Sequence, residues 1–166
     1  MLETAVLVME SFHGFDDKYD YSIVGHSGDS PEIDFVDYGQ PPKNRKERLQ
    51  ILQQMMAHSQ YCWSGDHTIE AAEKAVKEVV KEEADEYFVC LVSDANLRRY
   101  HIDPRELGHL LSADERVQGF AIFIASLWND AERIRKEMPP GRAFVCLDTA
   151  SIPSTFNAIM RSSILK

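Results

Sequence analysis

The sequence lacks three features that would assign it at once to a familiar class of protein. It contains no apolar run of about 18 residues, so we predict no membrane-spanning helix. Its three cysteines, Cys62, Cys90 and Cys146, form no C-x-x-C pair, which argues against a disulfide framework and favours a reducing, intracellular compartment. Its 18 basic and 27 acidic residues give a net charge of −9, which makes nucleic acid and anionic membranes poor partners.

Nucleotide-binding and targeting motifs are also missing. Neither G-x-x-x-x-G-K-[ST] nor G-x-G-x-x-G occurs, so ATP hydrolysis is not assigned to these residues. The first residues have no basic n-region and no Arg-rich transit character, so we expect no targeting signal in this chain.

Helix-like and strand-like segments alternate along the chain. Apolar residues recur at helical spacing over residues 2–13, 48–56, 68–83, 104–111 and 128–138, and again after Pro153; extended segments are predicted at 21–25, 33–38, 87–93, 118–124 and 143–147. This alternation predicts one domain, residues 1–166, with a three-layer α/β fold. Its sheet would be mostly parallel and doubly wound, with helices on both faces.

The most informative feature is the end of the strand predicted at 87–93. Its apolar run stops at Ser93-Asp94-Ala95-Asn96, and ligands bind at the carboxyl ends of strands in open parallel sheets. The segment Ser64-Gly65-Asp66-His67-Thr68 precedes a helix. The Thr68 hydroxyl and the Asp94 carboxylate are oxygen ligands of the kind that hard cations prefer, so we predict that they converge on one divalent cation. The rim of this site is predicted to include Ser27, Asp29, Asp66, His67, Ser93 and Asn96.

Each of these segments also has a simpler interpretation. Asp66 or Thr68 could merely cap the helix, and His67 could be a surface residue rather than a ligand contact.

The segment Gly25-His26-Ser27-Gly28-Asp29 is one glycine short of a nucleophile elbow, and Ser27, Asp94 and His101 follow the order of a serine hydrolase. The same segment is otherwise a ligand-lining loop or a turn.

His58 and Cys62 are four residues apart, as zinc ligands on one helix face can be. No second pair completes four ligands, so ordinary packing is the favoured interpretation. Met55, Met56 and Trp63 are predicted to pack in or near the core.

Two of these segments resemble metal-binding loops of the von Willebrand factor A (VWA) domain family. They are Gly65-Asp66-His67-Thr68 before a helix and Leu91-Val92-Ser93-Asp94 at the end of a strand. Longer blocks similar to the C-terminal domain of one large member of the family extend the resemblance over nearly all of the chain; they lie at residues 21–29, 57–60, 64–68, 81–88, 93–97 and 120–124. The resemblance implies a VWA fold with a metal-ion-dependent adhesion site. Thr68 would bind the metal directly, and Asp94 directly or through water.

The third metal-binding loop of the family, Asp-x-Ser-x-Ser, occurs nowhere in this sequence. The resemblance therefore implies that the first, central strand is absent and that Mg²⁺ (or Mn²⁺ or Ca²⁺) binds weakly or not at all, because three oxygen ligands are missing. An incomplete sheet also predicts self-association along an unpaired edge.

By the resemblance, the chain is a non-enzymatic protein-interaction module in which a partner carboxylate completes the coordination of the metal. The alternative is a metal-independent structural domain. The large family member resembles an AAA-type ATPase associated with mitochondria, so the resemblance also implies a mitochondrial location and an ATPase activity outside these residues.

Overall fold

A computed structural model describes residues 1–124 and 128–164, and these ranges contain six α-helices and five strands. The elements are α1 (Leu2–Ser11), β1 (Ile23–Gly25), β2 (Ile33–Val36), α2 (Arg45–Tyr61), α3 (Thr68–Val79), β3 (Tyr87–Ser93), α4 (Pro104–Leu110), β4 (Val117–Ile124), α5 (Trp128–Glu137), β5 (Ala143–Cys146) and α6 (Ile152–Ile164). The chain divides into two compact units, Met1–Ala71 and Ala72–Lys166, with the boundary inside α3. Each unit has its own sheet.

The sheet of the first unit is an antiparallel pair. Ile23 of β1 lies opposite Val36 of β2, and Gly25 lies opposite Ile33. In the same unit α1 packs against α2, and the buried Arg48 of α2 has its Nε 3.0 Å from Oε1 of Glu10 on α1.

The beginning of α2 is fixed by hydrogen bonds to the side chains of Asn44 and Glu47. The Asn44 side chain accepts hydrogen bonds from the backbone N–H groups of Lys46 and Glu47, each at 3.0 Å. The Glu47 carboxylate in turn accepts from the N–H of Lys43 at 2.6 Å. The two bonds to Asn44 satisfy backbone donors that a helix start leaves unpaired, so the local sequence determines where α2 begins.

The sheet of the second unit consists of three parallel strands in the order β3-β4-β5. The central strand β4 is the most buried, and Ala121, Ile122 and Phe123 are fully inaccessible to solvent. Buried apolar side chains from α4, α5 and α6 contribute to the core of this unit: Leu107 on α4, Ala131 and Ile134 on α5, and Ile152 and Ile159 on α6.

Two glycines in this unit permit close packing. A Cβ at Gly119 of β4 would overlap the Leu111 carbonyl just after α4, and a Cβ at Gly108 of α4 would overlap the Pro139 ring just after α5. Both positions need glycine because backbone and ring atoms cannot yield as the end of a flexible side chain can.

The prediction of an α/β fold is confirmed, and the parallel sheet comes from the segments predicted at 87–93, 118–124 and 143–147. The single-domain organisation of residues 1–166 stays a prediction. Packing of Met56 and Trp63 in or near the core is wrong, because 45% of Met56 and 77% of Trp63 is exposed. Within residues 1–124 and 128–164 no helix is both long and apolar enough to cross a membrane.

Candidate functional site

The loop that follows β1 is built by short-range hydrogen bonds around Ser27. The Ser27 N–H donates to the Ser30 carbonyl at 3.0 Å, and the Ser27 hydroxyl accepts from the Asp29 N–H at 3.1 Å. The same hydroxyl donates to Oδ2 of Asp29 at 3.2 Å. A turn of this kind is a common use of serine and aspartate, and here it fixes the position of the Asp29 carboxylate.

This loop is joined to the segment that follows α2. The Trp63 N–H donates to Oδ2 of Asp29 at 2.8 Å, and the Gly28 N–H donates to the Trp63 carbonyl at 3.3 Å. Glycine is required on both sides of the contact. A Cβ at Gly28 would lie 2.6 Å from the Ser64 carbonyl oxygen, and one at Gly65 would lie 2.6 Å from the Gly28 Cα. The two loops therefore form one close backbone junction.

The start of α3 carries Asp66, His67 and Thr68. The Asp66 carboxylate accepts a hydrogen bond from the Thr68 N–H at 2.6 Å, so Asp66 does have the capping role that the sequence offered as an alternative. Thr68 begins α3, as predicted, and is 2% exposed. Nδ1 of His67 lies 3.7 Å from Oε1 of Glu70.

The pKa of His26, in the loop after β1, is shifted by its surroundings. Burial lowers the pKa of His26 below its ordinary value of 6.5, although the nearby carboxylates of Asp66 and Glu70 oppose this effect. Its Nδ1 is buried and has no hydrogen-bond partner among the described residues. Both observations favour a neutral imidazole at neutral pH.

In the second unit, Asp94 lies at the carboxyl end of β3, as predicted. The Asp94 carboxylate is exposed and accepts a hydrogen bond from the Asn96 N–H at 3.0 Å, while the Ser93 hydroxyl accepts from the Ala95 N–H at 3.3 Å. Ala95 has a φ of 64°, in the left-handed region that non-glycine residues seldom adopt. A tight turn thus ends the strand and presents Asp94 to solvent.

The structure brings some of the predicted site residues together. Ser27 contacts Asp29, Asp66 contacts Thr68, and both pairs lie in the first unit. Ser93, Asp94 and Asn96 share the turn in the second unit, so a cation shared by Thr68 and Asp94 stays a prediction.

The serine hydrolase alternative receives no direct support. Within residues 1–124 and 128–164, both hydrogen bonds of the Ser27 hydroxyl are with Asp29, whereas Asp94 and His101 belong to the other unit. An activated nucleophile needs a base within hydrogen-bond reach, and no imidazole in the described part of the chain is bonded to this hydroxyl.

One cluster was not predicted as a unit. Ligand atoms of Asp29, His58 and Cys62 all lie within 4.8 Å of one another. The spacing of His58 and Cys62 indicated a pair on one helix face, but Asp29 precedes them by about 30 residues, and no local pattern connects it to them.

Comparison with known proteins finds a relative that is similar along nearly all of the chain. No family model matches the chain, and no solved structure matches it. Among curated proteins, one relative is 48% identical over 164 residues, which is 99% of this chain. This identity supports a VWA-type domain related to that protein, in agreement with the α/β fold. The relative is von Willebrand factor A domain-containing protein 8 of Mus musculus, and the chain spans 9% of that protein's length.

Proposed function

We propose that this VWA-type interaction module binds a partner protein through a hard divalent cation to which Thr68 and Asp94 contribute oxygen ligands. The observation that carries the proposal is the 48% identity to a VWA domain-containing protein along 99% of the chain. The local structure supports it, since Thr68 begins a helix and Asp94 is exposed in the turn after a buried parallel strand.

Mg²⁺ is the proposed ion, with Mn²⁺ and Ca²⁺ as substitutes. Mg²⁺ prefers six oxygen ligands in an octahedron, and Thr68 and Asp94 supply two of them. Because the Asp-x-Ser-x-Ser loop does not occur in this sequence, waters and a partner carboxylate would fill the other positions, and affinity would be low. Ion and partner binding are then linked, so that removing the ion weakens partner binding.

Thermal unfolding in a Mg²⁺ series tests this proposal. The melting temperature of the wild-type chain is expected to rise with Mg²⁺, and Thr68→Ala is expected to abolish the rise. Thr4→Ala is the matched control, because Thr4 is also a buried threonine but lies on α1. A Mg²⁺-dependent rise that Thr68→Ala leaves unchanged would contradict the assignment of Thr68.

Exposed aromatic side chains next to the loop junction support a role in protein interaction. Tyr61 is 82% exposed and Trp63 is 77% exposed. The backbone of Trp63 is held by Asp29 and Gly28, so its side chain is displayed from a fixed position. Tryptophan and tyrosine are the residue types that most often dominate the binding energy of protein interfaces. Trp63→Ala is expected to lose partner proteins that a Tyr19→Ala control retains.

The wider context is also a proposal. Because the chain spans 9% of its relative, we propose that it acts within a larger, mitochondrial AAA-type ATPase whose nucleotide site lies outside these residues. We expect the isolated chain not to hydrolyse ATP, measured as phosphate release. ATP hydrolysis by the isolated chain that a substitution in this chain abolishes would contradict the proposal.

Metal-independent assembly is a second candidate function, favoured by the edge of β3. This strand pairs with β4 on one side, and no strand among the described residues pairs with its opposite edge. An unpaired, seven-residue apolar edge is a template for a strand of a second copy of the chain. Light scattering over a concentration series tests this, because a monomer at all concentrations would exclude self-association at this edge.

A further inference from the structure

We infer that Asp29, His58 and Cys62 form a zinc-binding site. Their ligand atoms lie within 4.8 Å of one another in the first unit. Around tetrahedral Zn²⁺ with bonds of about 2.1–2.3 Å, ligand atoms are separated by about 3.4–3.8 Å. Binding therefore requires the three atoms to approach by at most about 1–1.4 Å, a change on the scale of small side-chain rotations. Neither Thr68 nor Asp94 is a ligand of this site, although Asp29 is also predicted to lie on the rim of theirs.

The end of α2 presents two of the ligands on one face. The Cys62 N–H donates to the His58 carbonyl at 2.8 Å, so one helical turn separates the two side chains. Phe35 of β2 packs against the His58 imidazole edge-to-face, with ring centroids 6.2 Å apart. Nε2 of His58 is buried and has no hydrogen-bond partner among the described residues, which is unusual for a buried polar atom and is consistent with a missing ligand.

Asp29 is oriented before any ion arrives. Its Oδ2 accepts from the Trp63 N–H at 2.8 Å and from the Ser27 hydroxyl at 3.2 Å. Hydrogen bonds of this kind around a metal ligand fix its direction and raise affinity. The loop junction therefore holds the carboxylate beside His58 and Cys62.

The donor set determines which ion fits. One thiolate, one imidazole and one carboxylate together suit Zn²⁺ better than Mg²⁺ or Ca²⁺, which prefer oxygen alone. Three protein ligands leave a fourth position open, as in zinc sites that bind water or an incoming group. Zinc would displace the proton of the Cys62 thiol, which in the metal-free chain is directed at the Ser59 carbonyl at 3.9 Å.

Metal titration of the chain tests the inference. Co²⁺ is expected to give the charge-transfer absorption of a cobalt–thiolate bond, and Zn²⁺ to displace it with one ion per chain. Asp29→Asn, His58→Gln and Cys62→Ser are each expected to weaken Zn²⁺ binding at least about tenfold, measured by competition with a chromophoric chelator. His109→Gln and Cys90→Ser are the controls and are expected to bind Zn²⁺ as the wild type does.

Alkylation gives a second readout that does not depend on variants. In the native chain Cys62 is partly exposed, whereas Cys146 is buried and burial raises the pKa of the Cys90 thiol to about 12. Cys62 is therefore the thiol expected to react with iodoacetamide, and Zn²⁺ is expected to slow that reaction. Absence of the cobalt–thiolate absorption, or wild-type Zn²⁺ affinity in a folded Cys62→Ser variant, would overturn the inference.

Discussion

Replacing Gly28 with alanine tests whether the loop junction is built by close backbone contact. The new Cβ would lie 2.6 Å from the Ser64 carbonyl oxygen and 2.9 Å from the Gly65 nitrogen. Reaching an ordinary contact of about 3.4 Å requires the two segments to separate by about 0.8 Å, and both consist of backbone atoms. The Gly28 N–H to Trp63 carbonyl bond, already 3.3 Å long, would then break.

The expected cost follows from the bonds at this junction. The neutral bond from Gly28 contributes about 1 kcal/mol, and the bond from Trp63 N–H to the Asp29 carboxylate contributes about 1.5–3 kcal/mol. If both are lost, the free energy of unfolding falls by about 2.5–4 kcal/mol. With a typical dependence on urea, this lowers the midpoint of urea unfolding by about 1–2 M.

Gly39→Ala is the control for this experiment. Gly39 has a φ of +71°, and no atom lies within 4 Å of the position that an added Cβ would occupy. Alanine there meets backbone strain of about 1–2 kcal/mol but no neighbour. Gly28→Ala should therefore destabilise the chain more than Gly39→Ala and should also weaken the inferred Zn²⁺ binding. A Gly28→Ala variant within about 0.5 kcal/mol of the wild type would refute this account of the junction.

Three further predictions concern stability. Burial lowers the pKa of folded His26 below 6.5, so the unfolded chain takes up the proton first as pH falls. The free energy of unfolding, measured with urea, should therefore fall as pH drops below about 6.5. The His26→Gln variant should lack that contribution to the pH dependence. Asn44→Ala removes the acceptor at the start of α2 and should cost about 1 kcal/mol, while exposed Gln53→Ala should be nearly neutral. Ile122→Ala in the buried strand β4 should cost about 2–5 kcal/mol, and a loss below about 1 kcal/mol would contradict its place in the core.

The buried strands could be predicted from the sequence because their signal is local. The prediction for β3, residues 87–93, is confirmed to the residue, and β4 begins one residue earlier than predicted. Strands covered on both sides of a sheet have continuous apolar runs, which end where the chain returns to solvent. The position of Asp94 directly after β3 could be predicted for the same reason.

Features that depend on distant contacts could not be predicted. Helix α3 ends at Val79 rather than near Glu83. The charged residues 81–83 have good helix propensity, which led to the longer prediction, but they offer no apolar side chain to pack against the core. The contact of Asp29 with Trp63 joins residues 34 positions apart. Trp63 itself was misplaced because residue type indicates average burial, whereas its backbone bonds hold this side chain outside.

Binding of Mn²⁺, followed by electron paramagnetic resonance, tests the proposed cation-dependent interaction module most directly. The wild type, Thr68→Ala, Asp94→Ala and the double variant form a double-mutant cycle. If both residues hold one ion, each single substitution lowers Mn²⁺ affinity at least about tenfold, and the double variant is no worse than the weaker single variant. Equal affinity in all four chains, independent additive losses, or no detectable Mn²⁺ binding by the wild type would contradict the account.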